Sequence, residues 1–237
     1  MRSKPREPDV ALRIDIITLF PEIFFGPLAS SIVGRAVREN KVEIRAIDLR
    51  DFTHDRRKTV DDNKPFGGGP GMLMKVEPLF EAVSSLKQDG TKVILTGPAG
   101  GRFTQATAHA LAVEQHLIFI CGHYEGVDQR VRDLLVDMEL SIGDYILTNG
   151  NLAAMVMTDA IVRLLPGVLG DDESAVQESF ENGLLEYPQY TQPVEFHGMR
   201  VPDVLLSGDH ARIGQWRRAE STNTTLLVRP DLINNKN

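Results

Sequence analysis

Leu117–Cys121 (LIFIC) is an unbroken apolar run, closed at once by Gly122. A strand that is apolar at every position has both faces covered, as in a parallel sheet held between helices. Lys92–Leu95 (KVIL) reads as a second short buried strand. Arg13–Leu19 (RIDIITL), Val42–Leu49 (VEIRAIDL) and Glu139–Ile142 read as further strands. Between them the pattern predicts helices over Pro27–Asn40, Leu79–Lys87, Thr104–Glu114, Gln129–Leu135 and Leu152–Leu165, the last stopped by Pro166-Gly167. Strands separated by helices predict an α/β fold built on a parallel sheet.

The character changes after residue 169. Residues 170–190 hold six acids (Asp171, Asp172, Glu173, Glu178, Glu181, Glu186) and no Lys or Arg. Without an apolar period, residues 170–182 read as a linker. Residues 183–237 read as a small, mainly helical second domain, with a helix from His210 to about Glu220 capped by Asp209 or Gly208. No run reaches the roughly 18 apolar residues of a membrane span. Met1–Asp9 is charged and lacks the apolar stretch of a signal peptide, so the chain reads as cytoplasmic with a short frayed start. A single cysteine, Cys121, allows no intrachain disulfide, and the six histidines show no zinc-ligand spacing, so no metal site is expected. The net charge of −7 argues against a nucleic-acid partner, but the acidity is partly local. Residues 1–60 carry 12 Lys/Arg against 9 Asp/Glu, and residues 198–237 carry six bases against four acids, so basic patches remain available.

Four glycine-rich stretches stand out: Phe66–Gly71 (FGGGPG), Gly97–Gly101 (GPAGG), Gly122–Gly126 (GHYEG) and Ser141–Tyr145 (SIGDY). The last three follow the strands KVILT, LIFIC and MELSI. Open α/β sheets bind ligands at the C-terminal ends of their strands, where glycine lets backbone come close. Three such loops converging predict one pocket. It is not a standard nucleotide site, because both the P-loop and G-x-G-x-x-G signatures are missing. Asp61-Asp62 reads as a pair for metal or acid/base work, or as a solvated turn. The basic cluster His54–Lys58 reads as an RNA-backbone contact or as a solvated face. His123 reads as a catalytic group or a hydrogen-bonded wall residue, and Cys121 as inert core. Trp216, beside Arg217 and Arg218, either stacks on a base or fills the core of the small domain.

Taken together, Ile17–Pro21 (ITLFP), Gly67–Met74 (GGGPGMLM), Cys121–Val131 (CGHYEGVDQRV), Ser141–Thr148 (SIGDYILT), Ala154-Met155, Pro166–Gly170 (PGVLG) and Val204–His210 (VLLSGDH) resemble the bacterial tRNA (guanine-N1)-methyltransferases of the SPOUT superfamily. The blocks run in the family's order. The resemblance implies a parallel-sheet SPOUT fold with a deep C-terminal trefoil knot, which general rules of chain topology would not have predicted. It also implies a methyl-donor domain over residues 1–169 and a small tRNA-binding domain over residues 183–237. The implied donor, S-adenosylmethionine, would be held by Leu95, Thr96, Gly97, Pro98, Gly122, Tyr124, Glu125, Gly126, Asp128, Ser141, Ile142, Gly143, Asp144, Tyr145, Ile146, Leu147, Asn149 and Gly150. The implied substrate is tRNA, methylated at N1 of the guanine immediately 3′ of the anticodon, by a homodimer with its active site between subunits. Arg56, Arg57, Lys58, His210, Arg217 and Arg218 are the candidate RNA contacts. The residues do not decide whether Mg2+ takes part.

The resemblance also implies two catalytic side chains. Guanine N1 carries a proton, so a base must take it. In the family this is an aspartate on the linker, aided by an arginine on the preceding helix. The arginine falls on Arg163, the only Lys or Arg between residues 133 and 199. The aspartate position, before Ser179-Phe180, holds Glu178, a carboxylate of nearly the same ordinary pKa with one more methylene. Where the family has Gly-Gly-Glu-Leu-Pro, this chain has Asn149-Gly150-Asn151-Leu152-Ala153. One extra residue lies between Asp62 and Pro65, and the chain ends soon after Arg229-Pro230-Asp231. These departures leave open a diverged SPOUT protein with another RNA target, or a non-catalytic RNA-binding protein.

Overall fold

A computed structural model describes residues 10–170 and 178–234. The expected frayed start (1–9) and most of the expected linker (171–177) lie outside the described residues. The chain divides into two compact units, Met1–Gly170 and Asp171–Asn237.

The first unit runs β1 (Leu12–Thr18), α1 (Ser31–Arg38), β2 (Val42–Asp48), β3 (Asp61–Asp62), β4 (Leu73–Met74), α2 (Val76–Leu86), β5 (Lys92–Arg102), α3 (Gln105–Ala112), β6 (His116–Cys121), α4 (Gln129–Leu135), β7 (Met138–Ser141) and α5 (Asn151–Val162). Five strands form one sheet in the order β2-β1-β6-β5-β7, and each neighbouring pair is parallel. β6 sits at the centre and is buried at every position. Leu117, Phe119 and Cys121 face a core built with Val33 and Ala36 of α1, Ala108 and Leu111 of α3, and Met157 and Ile161 of α5. Ile118 and Ile120 face the other way, toward Leu79 and Val83 of α2 and Val131 and Leu135 of α4. The unbroken apolar run is therefore explained by helices on both faces.

Three elements differ from their predicted extents. The helix expected over Pro27–Asn40 is a 3-10 turn, Pro27–Ala29, followed by α1. Ser30 is extended (ψ 162°) and breaks the two apart. Gly34 rides directly on the Ala29 carbonyl, 2.1 Å from where a Cβ would sit. β5 continues through the stretch expected to be a loop. After a register shift between Thr96 and Gly101 it pairs again with β7, Gly101 opposite Leu140. A Cβ on Gly100 would lie 2.4 Å from the Glu139 carbonyl carbon, so only a bare backbone fits. The helix expected to stop near Glu220 runs on to Val228, as described below.

The middle of β1 holds a buried carboxylate that the sequence pattern did not reveal. Asp15 is fully buried. Arg45 grips it with two bonds (2.6 and 2.8 Å), Arg13 donates at 2.7 Å and His116 Nε2 at 3.0 Å. Thr91 Oγ1 lies 2.8 Å from His116 Nδ1, so the network reaches the segment before β5.

The second unit contains a two-stranded hairpin, β8 (Glu195–Phe196) and β9 (Met199–Arg200), and the helices α6 (Asp203–Leu206), α7 (His210–Val228) and α8 (Asp231–Asn234). Asp209 caps α7, its carboxylate accepting from the Ala211 and Arg212 amides. The run Ser221–Thr225 is poor in helix formers. Tertiary contacts override that propensity. Thr225 is fully buried, its hydroxyl accepts from the Leu185 amide (2.8 Å) and donates to the Ser221 carbonyl (2.6 Å).

Asp15→Ala leaves two arginines and His116 without their anion. It should cost about 3–5 kcal/mol of stability, read as a lower urea midpoint. Gly150, whose surroundings are described next, has a Cβ position 2.0 Å from Thr96 Oγ1. Gly150→Ala should cost about 1–3 kcal/mol by overpacking, and Thr96→Ala in the same chain should restore part of that loss.

Candidate functional site

At the C-terminal ends of β5, β6 and β7 lies a cleft of about 360 Å³. Its walls come from Leu95–Ala99, Gly122–Val127 and Leu140–Gly150, with Arg132 and Ala153 added from α4 and α5. The three glycine-rich stretches converge as their positions after consecutive strands predict. Every candidate donor-binding residue except Asp128 and Asp144 lines the cleft. Asp128 instead caps α4 and pairs with Arg130 at 2.7 Å, a bond that holds its carboxyl below the usual carboxylate range. Asp144 is almost fully exposed, 3.6 Å from Arg102.

The walls meet at Gly150. Its amide donates to the Gly122 carbonyl at 2.8 Å, and its Cβ position would fall 2.0 Å from Thr96 Oγ1 and 3.0 Å from the Gly122 nitrogen. Thr96 Oγ1 in turn donates to the Ile120 carbonyl. No side chain fits where these three segments meet. Gly97 is constrained in the same way by Glu139 Oε1, 2.3 Å from its Cβ position. Arg132 holds that carboxylate at 3.1 Å, and so fixes one wall from behind.

The loop Gly67–Gly71 is stitched to the cleft at its base. The Glu125 amide donates to the Met72 carbonyl, and the Met74 amide to the Gly126 carbonyl. A Cβ on Gly71 would collide with Glu125 Cγ at 2.5 Å, so only glycine (φ +89°) sits there. Asp61 pairs with Met74 across β3 and β4, and Asp62 accepts from the Lys64 amide. Nearby Asp61 helps burial push the Tyr124 hydroxyl upward.

His123 also lines the cleft and is buried. Its ring centroid lies 5.4 Å from that of Phe20, over which Arg50 sits in turn. Burial holds its imidazole below the ordinary value; Asn151 opposes the shift and Arg50 reinforces it. His123 is thus a neutral wall group. Burial raises the Cys121 thiol far above its ordinary range and keeps it inert. Arg132, His123 and Thr148 were not among the candidate binding residues. His123 carried a signal, sitting inside the glycine stretch, whereas Arg132 reaches the cleft from α4 and only the fold reveals it.

Arg163 is half-buried at the C-terminal cap of α5 and lies outside the cleft's lining. Glu178 is half-buried at the start of the described part of the second unit, where its carbonyl accepts from the Glu181 amide. Arg56, Arg57 and Lys58 stand exposed on a tight loop. Asp55 organises that loop by accepting from the Arg57 and Thr59 amides; its bonds to Thr59 lower its carboxyl pKa. His210 and Arg218 are exposed on α7, while Arg217 is packed against Tyr187. Among the described residues no three His, Cys, Asp or Glu side chains come together as a metal group, and no helix is long and apolar enough to cross a membrane.

A comparison with protein families matches residues 12–235 to the model described as tRNA (Guanine-1)-methyltransferase TrmD. Among curated proteins the chain is 56% identical over 222 residues to a tRNA (guanine-N(1)-)-methyltransferase of Dictyoglomus turgidum, covering 94% of this chain and 90% of that one. It is 54% identical to proteins of the same name from Carboxydothermus hydrogenoformans and Geobacillus kaustophilus, again over 94% of this chain and covering 87% and 91% of theirs. With the cleft's three glycine loops in place and a match that spans both units, the chain belongs to the tRNA (guanine-1)-methyltransferase TrmD family.

Proposed function

We propose that this protein transfers a methyl group from S-adenosylmethionine to N1 of the guanine immediately 3′ of the anticodon in tRNA. The observation that carries this reading is the single cleft at the strand ends, formed by three glycine loops in a chain more than half identical to enzymes with that name. The cleft's size suits a small ligand, and Gly97, Gly122 and Gly150 lie on its walls, where peptide N–H and C=O groups can meet one. Leu95–Pro98, Gly122–Gly126 and Ser141–Gly150 would hold the donor. When bound, that molecule supplies an electrophilic methyl carbon on a positively charged sulfur, which needs no metal for its own activation.

The remaining work falls to this chain's own groups. Glu178 takes the N1 proton of guanine, leaving the ring nitrogen free to accept the methyl carbon. Arg163 steadies the negative charge that develops on the base. Arg56, Arg57, Lys58, His210 and Arg218 serve the tRNA backbone, each an exposed cation or donor. The chain would act as a homodimer in the cytoplasm, with the donor-binding part of residues 1–169 tied in a trefoil knot, residues 170–182 linking it to the tRNA-binding part, and Arg163 and Glu178 brought together between subunits. Support for these finer points is the family resemblance, with the close approach of Thr96, Cys121 and Gly122 to Gly150 in keeping with it.

The test is transfer of labelled methyl to unmodified transcripts, one with guanine at the target and one with adenine. Label should enter the first only; label in the adenine transcript would assign another target. Glu178→Ala should lower kcat by about 10²–10⁴-fold, with Glu178→Asp recovering most of it. Activity that survives Glu178→Ala would remove Glu178 from the base role. Arg163→Ala should lower kcat by about 10²–10³-fold with donor affinity little changed.

A further inference from the structure

β5 does not run straight past β7. Thr96 and Gly101 both pair with Leu140, so Gly97–Gly100 arch out of the strand between them. Gly97, Pro98 and Ala99 of that arch line the cleft. Glu139 fills the space beneath it. A Cβ on Gly97 would collide with Glu139 Oε1, and a Cβ on Gly100 with the Glu139 carbonyl group. Arg132 of α4 holds the Glu139 carboxylate with a two-pronged grip, Nε donating to Oε2 at 3.1 Å and Nη2 to Oε1 at 3.3 Å. The third arm of the same guanidinium, Nη1, donates to the Val127 carbonyl at 3.3 Å. Val127 ends the Gly122–Val127 wall of the cleft and bridges in turn to Met74 of β4. One side chain therefore ties the wall carried by β5 to the wall that follows β6. Arg132 and Glu139 are both half-buried, so solvent screens the pair only in part.

Three bonds to two carboxylate oxygens and a carbonyl call for a planar fork. A lysine nitrogen on its flexible stem does not span all three. Bonds between charged partners are also shorter and stronger than neutral ones, so they hold a wall to a narrower range of positions. We propose that Arg132 and Glu139 are positioning residues for the methyl donor: by propping the Gly97–Gly100 arch and tying it to Val127, they set the width of the cleft and so its affinity for the donor. The proposal rests on the donor reading above and adds to it a pair that acts through the walls. Direct contact is the competing role, because Arg132 is the only Lys or Arg lining the cleft among the described residues and the donor carries a carboxylate. The geometry favours bracing, since Nε, Nη1 and Nη2 are each engaged by the protein itself.

Full-length protein is titrated by calorimetry with two ligands. One is S-adenosylhomocysteine, the demethylated donor; the other is 5′-methylthioadenosine, which has no carboxylate. Arg132→Met should weaken both by a similar factor, about 5- to 100-fold, the scale of a lost hydrogen bond to a charged group. Arg132→Lys keeps the charge without the fork and should recover little of that loss. In methyl transfer, Arg132→Met should raise KM for the donor and leave KM for tRNA unchanged. In a Glu139→Ala background Arg132→Met should cost less than in the wild type, because the two side chains work as one unit. Unaltered binding by Arg132→Met would overturn the proposal. Weakening confined to S-adenosylhomocysteine would overturn it too, and assign Arg132 to the donor's carboxylate. Losses that simply multiply in the double variant would remove Glu139 from the brace. Equal rises in both KM values, with a lower urea midpoint, would reduce the pair to a general support of the fold. A wild type that binds neither ligand would overturn the donor reading and the brace with it. Wild-type binding that Arg132→Met weakens as expected, without methyl transfer to tRNA, would keep the brace and overturn the proposed activity alone.

Discussion

The candidate site depends on one close approach of backbone to backbone. Gly150 sits where the ends of β5 and β6 and the segment after β7 come together, with room for a hydrogen on its α carbon and nothing more. Its bond to the Gly122 carbonyl draws two walls of the cleft together, and Thr96 fastens the third through the Ile120 carbonyl. Protein interiors are packed too densely to absorb even one extra methyl at such a point without a shift elsewhere. The cleft's shape is thus set by packing before any ligand contact is considered. The glycines at 97 and 100 answer the same demand from the strand side, where β5 lies against Glu139 and Leu140.

Polar groups are buried in two different ways. In the middle of β1, Asp15 is buried but surrounded by Arg13, Arg45 and His116, so its desolvation is offset by several charge-assisted bonds. At the C-terminal ends of the strands, burial and Arg50 hold the His123 imidazole below its ordinary pKa, and it faces the cleft beside Arg132 and Glu125.

Much of the architecture was legible from apolar periodicity alone. The run at Leu117–Cys121 implied a central strand covered on both faces, and helices α1, α3 and α5 on one side and α2 and α4 on the other supply that cover. Glycines after three successive strands implied one pocket, and the walls converge there. Where the reading missed, a long-range contact decided. β5 continues past Thr96 because Gly101 and Arg102 pair again with β7. α7 passes through a threonine-rich stretch because Thr225 is buried against the segment at Leu185. Asp128 resembled a pocket residue by its place in the motif, but its local bonds to Arg130 and the α4 cap claim it.

By itself the sequence determined the local choices: which stretches are strand or helix, where the backbone must be bare, and which motif carries the family likeness. These follow from side-chain periodicity, cap chemistry and glycine's missing Cβ, all of which act within a few residues. The tertiary structure decided what lies opposite what. That Arg132 braces Glu139 behind Gly97, that Arg45 reaches Asp15, and that Arg217 packs against Tyr187 are pairings between distant positions. Such pairings arise only when the hydrophobic faces have packed and brought far parts of the chain together, so no local pattern records them.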